Sequence, residues 1–429
     1  MRGWKSSLAL TLGLAIAALP GTDALAQQKT LRIMGYQATF EHFRPAWEWV
    51  LEEFQRRHPD VTIEDIPTAF NETLNQITVA VLGGNAPDIV IVNPVWMAQL
   101  DSLDALQPLS GLISDEELAK FPERVREDLT FDGELKALPL NPGPIMMVYN
   151  RDLMREAGLD PDAPPKTWPE FTTAIEKICA LPDRNGGKVS GIALRLDRGA
   201  QTAQWLIPVI WGMGGEITDS DGEFNFTSPP VIEALQWYRR LVEEGCAQPG
   251  ATVGDTRNLF AQGRAGFIFE GPWIRGLVRN LSADQLQIAP DGNIWIAPMP
   301  ENPSGEVRQF ANHGVIAITA QAKDKELAAS FVDFLLNDPD VVDKHFEIAQ
   351  IMATGNTELL ASGAHGADPL TQEFVKYLPN SQALPMQHPR WLAAMDALVP
   401  HIQSVVDGAD AQAEAEQAER DAQRALSRR

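Results

Sequence analysis

Between residues 29 and 93 the hydrophobic positions follow two alternating periods. In 29–35 they alternate singly with polar residues, as in a half-buried strand, whereas in 45–58 they recur every three or four residues, as on one face of a helix. Both patterns repeat, and a continuously apolar run follows, of the kind that a parallel sheet buries on both faces. The predicted order is strand, helix, strand, helix and strand, over 29–35, 45–58, 61–66, 71–82 and 86–93. This alternation predicts an α/β domain with a largely parallel sheet.

A second α/β unit is predicted to begin near 141–144, where the sequence reads Asn-Pro-Gly-Pro. A strand at 145–149 and a helix at 151–157 follow, and Thr167 with Glu170 forms a capping box for the next helix. After a Pro-Met-Pro break at 298–300, the pattern predicts a further strand at 314–319 and a helix at 323–336. The tail, 408–429, is rich in Ala, Gln, Glu and Arg, which favours an exposed, partly frayed amphipathic helix.

The first 26 residues have the order of a secretory signal peptide. Arg2 and Lys5 precede the apolar run 8–19, and Ala24-Leu-Ala26 supplies the small-x-small cleavage pattern. We expect cleavage after Ala26. With no cysteine near the cleavage site to carry a lipid, the product is predicted to be soluble in a bacterial periplasm.

Charge and cysteine content narrow the function classes. The net charge of -23 opposes binding to nucleic acid and to anionic membranes. Cys179 and Cys246 each end a helix-like segment in an oxidising compartment, so one disulfide and two separate buried thiols are both open. No C-x-x-C or H-x-x-x-H spacing occurs, and we expect neither a metal nor a cofactor.

Several segments, in order along nearly the whole chain, form a recognisable set of motifs. They include Gly-Asn-Ala-Pro-Asp-Ile-Val-Ile at 84–91, Val-Tyr-Asn-Arg-Asp-Leu at 148–153 and Phe-Ala-Gln-Gly-Arg-Ala-Gly-Phe-Ile-Phe-Glu-Gly-Pro-Trp at 260–273. The full set of stretches is 84–91, 148–158, 167–171, 260–273, 297–300 and 322–335. In this order they resemble the extracellular solute-binding proteins of carbohydrate ABC transporters, including the maltodextrin-binding and glycerol-3-phosphate-binding periplasmic proteins.

The resemblance implies a type II periplasmic binding protein fold with two lobes, each a mostly parallel sheet flanked by helices. Lobe one would hold 27–141 and 304–342, and lobe two 142–303 and 343–429. It also implies a monomer that captures a sugar or polyol in the cleft between the lobes, closes about a hinge and delivers the ligand to the permease subunits of an ABC transporter in the inner membrane.

Sugar rings pack their C–H faces on aromatic rings, so tryptophans at loop positions are candidate ligand contacts. Trp96 follows the third predicted strand. By resemblance, Trp273 after Glu-Gly-Pro, Trp205 and Trp391 stand where relatives place cleft aromatics. Tryptophans inside regular elements are assigned to packing: Trp47, Trp49, Trp168, Trp237 and Trp295.

Sugar hydroxyls also need amide, carboxylate and guanidinium partners. The resemblance places the pairs Asn141/Gly143 and Asn312/His313 on the cleft, although the maltodextrin-binding type has a carboxylate at the Gly143 position. The remaining candidates lie at strand ends or beside Trp391: Glu41, Asn71, Asn93 and Arg390.

Two rival functions stay open. Glycoside hydrolysis needs only two facing carboxylates, so a secreted carbohydrate-active hydrolase or lyase remains, although no Gly-x-Ser-x-Gly or P-loop motif occurs. A receptor for glycerol 3-phosphate or another anionic polyol would need a cleft arginine, and Arg195, Arg275 and Arg390 are the candidates.

Overall fold

The computed structural model describes residues 28–184, 186–219, 223–283, 285–384 and 388–427. The predicted signal peptide and its cleavage site lie outside these residues. Among the residues that the structure describes, every helix is too short or too polar to span a lipid bilayer.

Strands and helices alternate along the described chain. The strands are β1 Lys29–Gly35, β2 Val61–Pro67, β3 Ile89–Val92, β4 Thr130–Phe131, β5 Glu134–Leu135, β6 Leu138–Asn141, β7 Pro144–Asn150, β8 Ser190–Ala193, β9 Ala265–Glu270, β10 Ile294–Ala297, β11 Gln309–Ala311, β12 Gly314–Ile318 and β13 Ser381–Gln382. The helices are α1 Arg44–Arg57, α2 Phe70–Leu82, α3 Met97–Asp101, α4 Asp115–Leu118, α5 Glu123–Asp128, α6 Arg151–Glu156, α7 Trp168–Cys179, α8 Ala200–Gly212, α9 Pro229–Glu243, α10 Val253–Ala261, α11 Ile274–Ser282, α12 Lys325–Asn337, α13 Pro339–Ala349, α14 Thr357–Leu360, α15 Gly363–Gly366, α16 Pro369–Val375, α17 Trp391–Val406 and α18 Ala411–Ser427.

The first sheet has the strand order β2-β1-β3-β12-β6. Strand β1 runs parallel to both β2 and β3, as the alternating pattern predicts, whereas β12 is antiparallel to β3 and to β6. Helices α1 and α12 cover this sheet, and the rings of Phe54 and Phe331 meet edge to face at 5.0 Å. The carboxyl ends of β1, β2 and β3 therefore share one edge, which is where open α/β sheets bind ligands.

The second sheet has the order β13-β11-β7-β9-β8, with β10 also paired to β7. Strand β7 is buried over its whole length. Ile145, Met147 and Tyr149 face a core that includes α7, α8, α9, α17 and α18, while Met146 and Val148 face the core shared with α10, α11 and the first sheet. Both lobes are thus helix-flanked α/β layers, and the predicted fold class is confirmed. The sheets themselves are mixed, because the strands that follow the crossings between lobes run antiparallel to their neighbours.

Sheet membership differs from the predicted lobe boundaries at two places. Strand β11 pairs with β7 in the second sheet, so the return to the first lobe comes at 312–313 and not at 304. Leu360, Leu370 and Phe374 pack in the core of the first sheet, so the segment after 342 stays with the first lobe until about 378. The Pro-Met-Pro break at 298–300 precedes a loop of the second lobe. The predicted return to the first lobe at 304 was based on this break and was therefore placed too early.

Two further features concern the second lobe. Cys179 and Cys246 form a disulfide with a Cα–Cα distance of 5.1 Å, which joins the end of α7 to the segment after α9. The C-terminal helix α18 packs against α17, contrary to the expected exposed and frayed tail, because Ala411, Ala415 and Ala418 form a stripe small enough for close approach. The fold also contains the predicted capping box of Thr167 and Glu170.

Candidate functional site

Aromatic side chains gather at the carboxyl ends of β1, β2 and β3. The ring of Tyr36 lies 5.1 Å from Phe70 and 5.8 Å from Phe40, and Phe70 lies 5.0 Å from Trp96. Trp96 is only 7% exposed, whereas Phe40 and Phe70 are half-buried. The accessible apolar surface at this edge therefore belongs chiefly to the two phenylalanines, with Trp96 packed behind them.

Asn93 joins this edge to a strand crossing. Its Oδ1 accepts from the backbone N–H of Val95 at 3.2 Å and so caps the 3-10 turn Pro94–Trp96. Its Nδ2 donates to Oδ1 of Asn312 at 3.1 Å. Sequence reasoning placed Asn93 and Asn312 in one site, and the structure brings their amides together.

Two of the three crossings between the lobes, the one between β6 and β7 and the one between β11 and β12, are hydrogen-bonded to each other. The backbone N–H of Asn312 donates to the carbonyl of Gly143 at 2.8 Å, and the N–H of Gly143 donates to Nδ1 of His313 at 3.0 Å. Asn141 is buried beside them, where its Oδ1 accepts from Nε2 of Gln37 at 3.0 Å and its Nδ2 donates to the carbonyl of Met352. Asn141 thus has a structural hydrogen-bonding role.

His313 is neutral in this setting. Its side chain is 2% exposed, and burial lowers its pKa to about 4. Because Nδ1 accepts the Gly143 bond, Nε2 carries the proton. Within the described part of the chain that N–H has no hydrogen-bond partner, which leaves a buried donor next to both crossings.

Trp273 is held in place by two glycines. A Cβ on Gly143 would lie 2.7 Å from Cζ3 of Trp273 and would also overlap the carbonyl oxygen of Asn312. A Cβ on Gly271 would lie 2.5 Å from Cη2 of the same ring. The indole can occupy this place only because both positions lack a side chain.

The indole N–H of Trp273 is fixed as well. It donates to a carboxylate oxygen of Glu270, which is 3% exposed and is paired with Arg257 at 2.6 Å. Burial of this carboxylate is compensated by the guanidinium and the indole N–H. Trp273 is therefore a preorganised aromatic ring at the junction of the lobes, with its outer part still accessible.

Trp205 also stands near the crossings. It lies on α8, is half-buried, and its ring meets Phe310 of β11 edge to face at 5.7 Å. Phe310 is two residues before Asn312. The structure thus supports a grouping of Trp205 with the crossing residues.

The structure does not support the expected cleft positions of Trp391 and Arg390. Trp391 is 3% exposed, and its ring stacks on Phe224 at 5.5 Å with an interplanar angle of 14°, so it belongs to the core of the second lobe. Arg390 donates Nε to the carbonyl of Ala425 at 2.7 Å, which directs it to the C-terminal helix. Resemblance at one position did not reveal that Phe224 and α18 would enclose these side chains.

Glu41 and Asn71 are exposed and stand apart from the buried amide cluster. Glu41 lies in the turn before α1, and Asn71 is the second residue of α2. Sequence reasoning looked to the strand ends for ligand contacts but chose polar residues there. Gln37, Phe40 and Phe70, with Glu270 and Arg257, are the neighbours that it missed, and the aromatic content of 36–43 was the available signal.

A large groove lies elsewhere. It has a volume of about 1270 Å³ and lies in the second lobe between α7, α9 and the turn 301–305, away from the crossings. The part of the chain that the structure describes holds no cluster of three or more His, Cys, Asp or Glu residues suited to a metal ion. The junction of the lobes remains the best candidate site, because aromatic rings, amides and a buried free donor converge there.

A family model for bacterial extracellular solute-binding proteins matches residues 40–341. The chain belongs to this family. A putative binding protein of Brucella abortus (strain 2308) is 27% identical over 338 residues, covering 78% of this chain and 77% of the relative. The maltotriose-binding protein of Pyrococcus abyssi is 26% identical, covering 68% of this chain and 59% of the relative.

A solved solute-binding protein of Thermotoga lettingae, bound with α-D-tagatose, superposes with a TM-score of 0.81 at 22% identity. The match covers 93% of this chain and 100% of that one. The predicted family is therefore confirmed by the family model, and the two-lobed fold by the superposition. Binding proteins of ABC transporters are not enzymes, and the family's members are exported.

Proposed function

We propose that this protein is the periplasmic substrate-binding component of an ABC importer and that it captures a neutral sugar or polyol between its lobes. The observation that carries the proposal is the fixed ring of Trp273 at the junction of the crossings, beside the amides of Asn93 and Asn312. Sugars combine apolar C–H faces with hydroxyl groups, and a preorganised ring next to amides matches both. The maltotriose-binding and tagatose-bound relatives support this ligand class.

A neutral ligand is favoured over an anionic polyol by the state of three arginines. Arg275 Nη2 is 2.6 Å from Asp368, and Arg195 Nη2 is 2.9 Å from Asp197. Arg390 is bonded to the carbonyl of Ala425. All three guanidinium groups offered by the sequence for an anion are thus engaged within the protein. His313, neutral over the ordinary pH range, offers an N–H suited to an uncharged hydroxyl oxygen.

The cellular context forms part of the proposal. The order of charged, apolar and small residues in 1–26 supports export and cleavage after Ala26, giving a soluble monomer in the periplasm. The ligand-loaded protein would then bind the permease subunits of the importer and release its ligand unchanged. N-terminal sequencing of protein from the periplasm should begin at Gln27, and sedimentation should give the mass of one chain.

The deciding experiment is a thermal-shift screen of the purified mature protein against maltotriose, D-tagatose and sn-glycerol 3-phosphate, with the ligand recovered afterwards for mass spectrometry. We expect a neutral sugar to raise the melting temperature and to be recovered intact. The largest shift from sn-glycerol 3-phosphate would reject the neutral-ligand proposal, and cleavage of the sugar would show a hydrolase.

The site is tested by Trp273→Ala, with Trp49→Ala as a control at a half-buried tryptophan on α1. Loss of a large apolar contact should weaken sugar binding by about 1–3 kcal/mol in the Trp273 variant. The control should bind as the parent does. Equal affinity of a folded Trp273 variant would place the site elsewhere.

A further inference from the structure

Helix α11 carries three contacts to the first lobe on one side. Arg279 lies four residues after Arg275 and three residues after Gly276, and both spacings make neighbours on the surface of a helix. Although α11 follows β9 of the second sheet, these positions meet residues that pack with the first sheet. The helix is therefore a physical link between the lobes.

The strongest of these contacts is an ion pair. Nη2 of Arg275 lies 2.6 Å from Oδ1 and 2.7 Å from Oδ2 of Asp368. The two side chains are 18% and 17% exposed, so water and salt screen the pair less than an ordinary surface pair. Burial opposes ionisation of Asp368, but the bonds and charge of Arg275, with bonds from Thr371, outweigh it and lower the pKa.

Asp368 is itself held rigid. Its Oδ2 accepts from the backbone N–H of Thr371 at 2.8 Å and so caps α16. Leu370 and Phe374 of that helix are buried in the core of the first lobe. Arg275 therefore bonds to a group that cannot follow it if α11 moves away from the first lobe.

Two weaker contacts to the first lobe come from the same side of α11. Nη1 of Arg279 donates to Oε1 of Gln350 at 3.1 Å, at the end of α13. Gly276 lies against His42, where an added Cβ would be 3.5 Å from the Cβ of the histidine. His42 is near Arg257, and its burial and that positive charge lower its pKa to about 4, so a neutral imidazole occupies this contact.

The residue that caps α11 at its amino end is Trp273. The ring that would meet the sugar and the helix that bonds to the first lobe are therefore one continuous segment. We propose that Arg275 and Asp368 are positioning residues: their ion pair holds α11, and with it Trp273, against the first lobe. This rests on the proposed function, because the place of α11 matters for sugar capture only if the ring of Trp273 contacts the sugar.

The test begins with the ligand-free protein, so that it does not depend on the identity of the ligand. The variants are Arg275→Ala and Asp368→Asn; asparagine keeps the cap of α16 and removes only the charge. The control is Arg155→Ala, which breaks an exposed ion pair with Asp152 inside the second lobe. Small-angle scattering measures the radius of gyration, and acrylamide quenching measures the access of solvent to Trp273, by difference from matched Trp273→Phe proteins.

We expect Arg275→Ala and Asp368→Asn each to have a larger radius of gyration than the parent and the control. The fluorescence of Trp273 should also be quenched more strongly by acrylamide in both variants. The double variant should be no more open than either single variant, because one interaction is lost in all three. If Arg275→Ala does not fold, Asp368→Asn alone decides. Unchanged scattering and quenching in a folded Asp368→Asn variant would overturn the proposal that the ion pair holds α11 against the first lobe. Failure of every sugar to bind the parent would instead overturn the proposed function and would leave the result on the ion pair standing.

Discussion

Gly143 and His313, which lie on different crossings between the lobes, are joined by a hydrogen bond of 3.0 Å from the backbone N–H to the imidazole Nδ1. An imidazole accepts such a bond only while it is neutral. The bond therefore ties the geometry of the junction to the protonation state of one buried histidine, whose pKa is lowered to about 4.

Stability should depend on pH through this histidine and three others. Burial lowers the pKa of His42, His345 and His365 to about 4 as well. Between pH 6.5 and 4 the unfolded chain binds protons that the folded chain does not, so the free energy of unfolding falls as the pH falls through this window and is unaffected by these groups above it. Each histidine contributes a slope of roughly 1.4 kcal/mol per pH unit.

Urea unfolding at pH 5, 6, 7 and 8 measures this dependence. His345 lies on α13, remote from the junction. His345→Gln should reduce the slope of the unfolding free energy against pH, between pH 5 and 6, by the amount that corresponds to about one proton. A free energy of unfolding that is the same at pH 5 and pH 8 would contradict the prediction.

The second prediction concerns the glycine that accommodates Trp273. Gly143→Ala should cost about 1–3 kcal/mol of stability, because the new methyl group must displace the indole or the Asn312 carbonyl. Sugar affinity should fall with it. The control is Gly254→Ala in α10, where the nearest atom is Oγ1 of Thr252 at 3.7 Å. Chemical denaturation and titration calorimetry separate the two effects; equal stability of both variants would show that the ring has room to move.

Substitution of Trp391 should chiefly affect stability, whereas substitution of Trp273 should chiefly affect sugar binding. Trp391→Ala removes a ring stacked on Phe224 and should lower the free energy of unfolding by about 3–5 kcal/mol. Trp273 is only partly buried, so its loss should chiefly affect sugar binding. Denaturation and binding assays on both variants check this. A Trp391 variant that is as stable as the parent but no longer binds sugar would return Trp391 to the site.

Removal of the disulfide should lower the stability of the protein by a measurable amount. Thiol titration of denatured, unreduced protein should detect no free thiol from Cys179 and Cys246. Because the bridge spans 67 residues of sequence, the Cys179→Ala/Cys246→Ala variant should be less stable by about 4 kcal/mol in the chain-entropy description. Two titratable thiols in the untreated protein would contradict the bridge, without bearing on ligand binding.

Local patterns predicted local structure well. The alternation of 29–35 and the apolar run before Asn93 correspond to β1 and β3, and Thr167 begins α7 as its capping box indicates. These features depend on neighbours in sequence, so the chain itself contains the information. The Asn-Pro-Gly-Pro segment joins the end of β6 to the start of β7, and these strands belong to different sheets.

Contacts between distant segments were harder to predict. Trp273 and Trp391 look alike in sequence, and only the glycines at 143 and 271 and the ring of Phe224 distinguish an accessible indole from an enclosed one. The return crossing at 312–313 was misplaced for a similar reason, since β11 is short and is recognised by its pairing with β7. Partners remote in sequence decide such burial and pairing.

The bonds between Gly143, Asn312 and His313 have a consequence for how such a receptor acquires a new ligand. The groups proposed to recognise the sugar also join two crossings between the lobes. A substitution here that alters ligand preference should therefore alter the contact between the lobes as well. Engineers who build a sensor from this chain should vary Phe40, Phe70 and Trp205 first, because these accessible rings lie beside the junction and leave its hydrogen bonds intact.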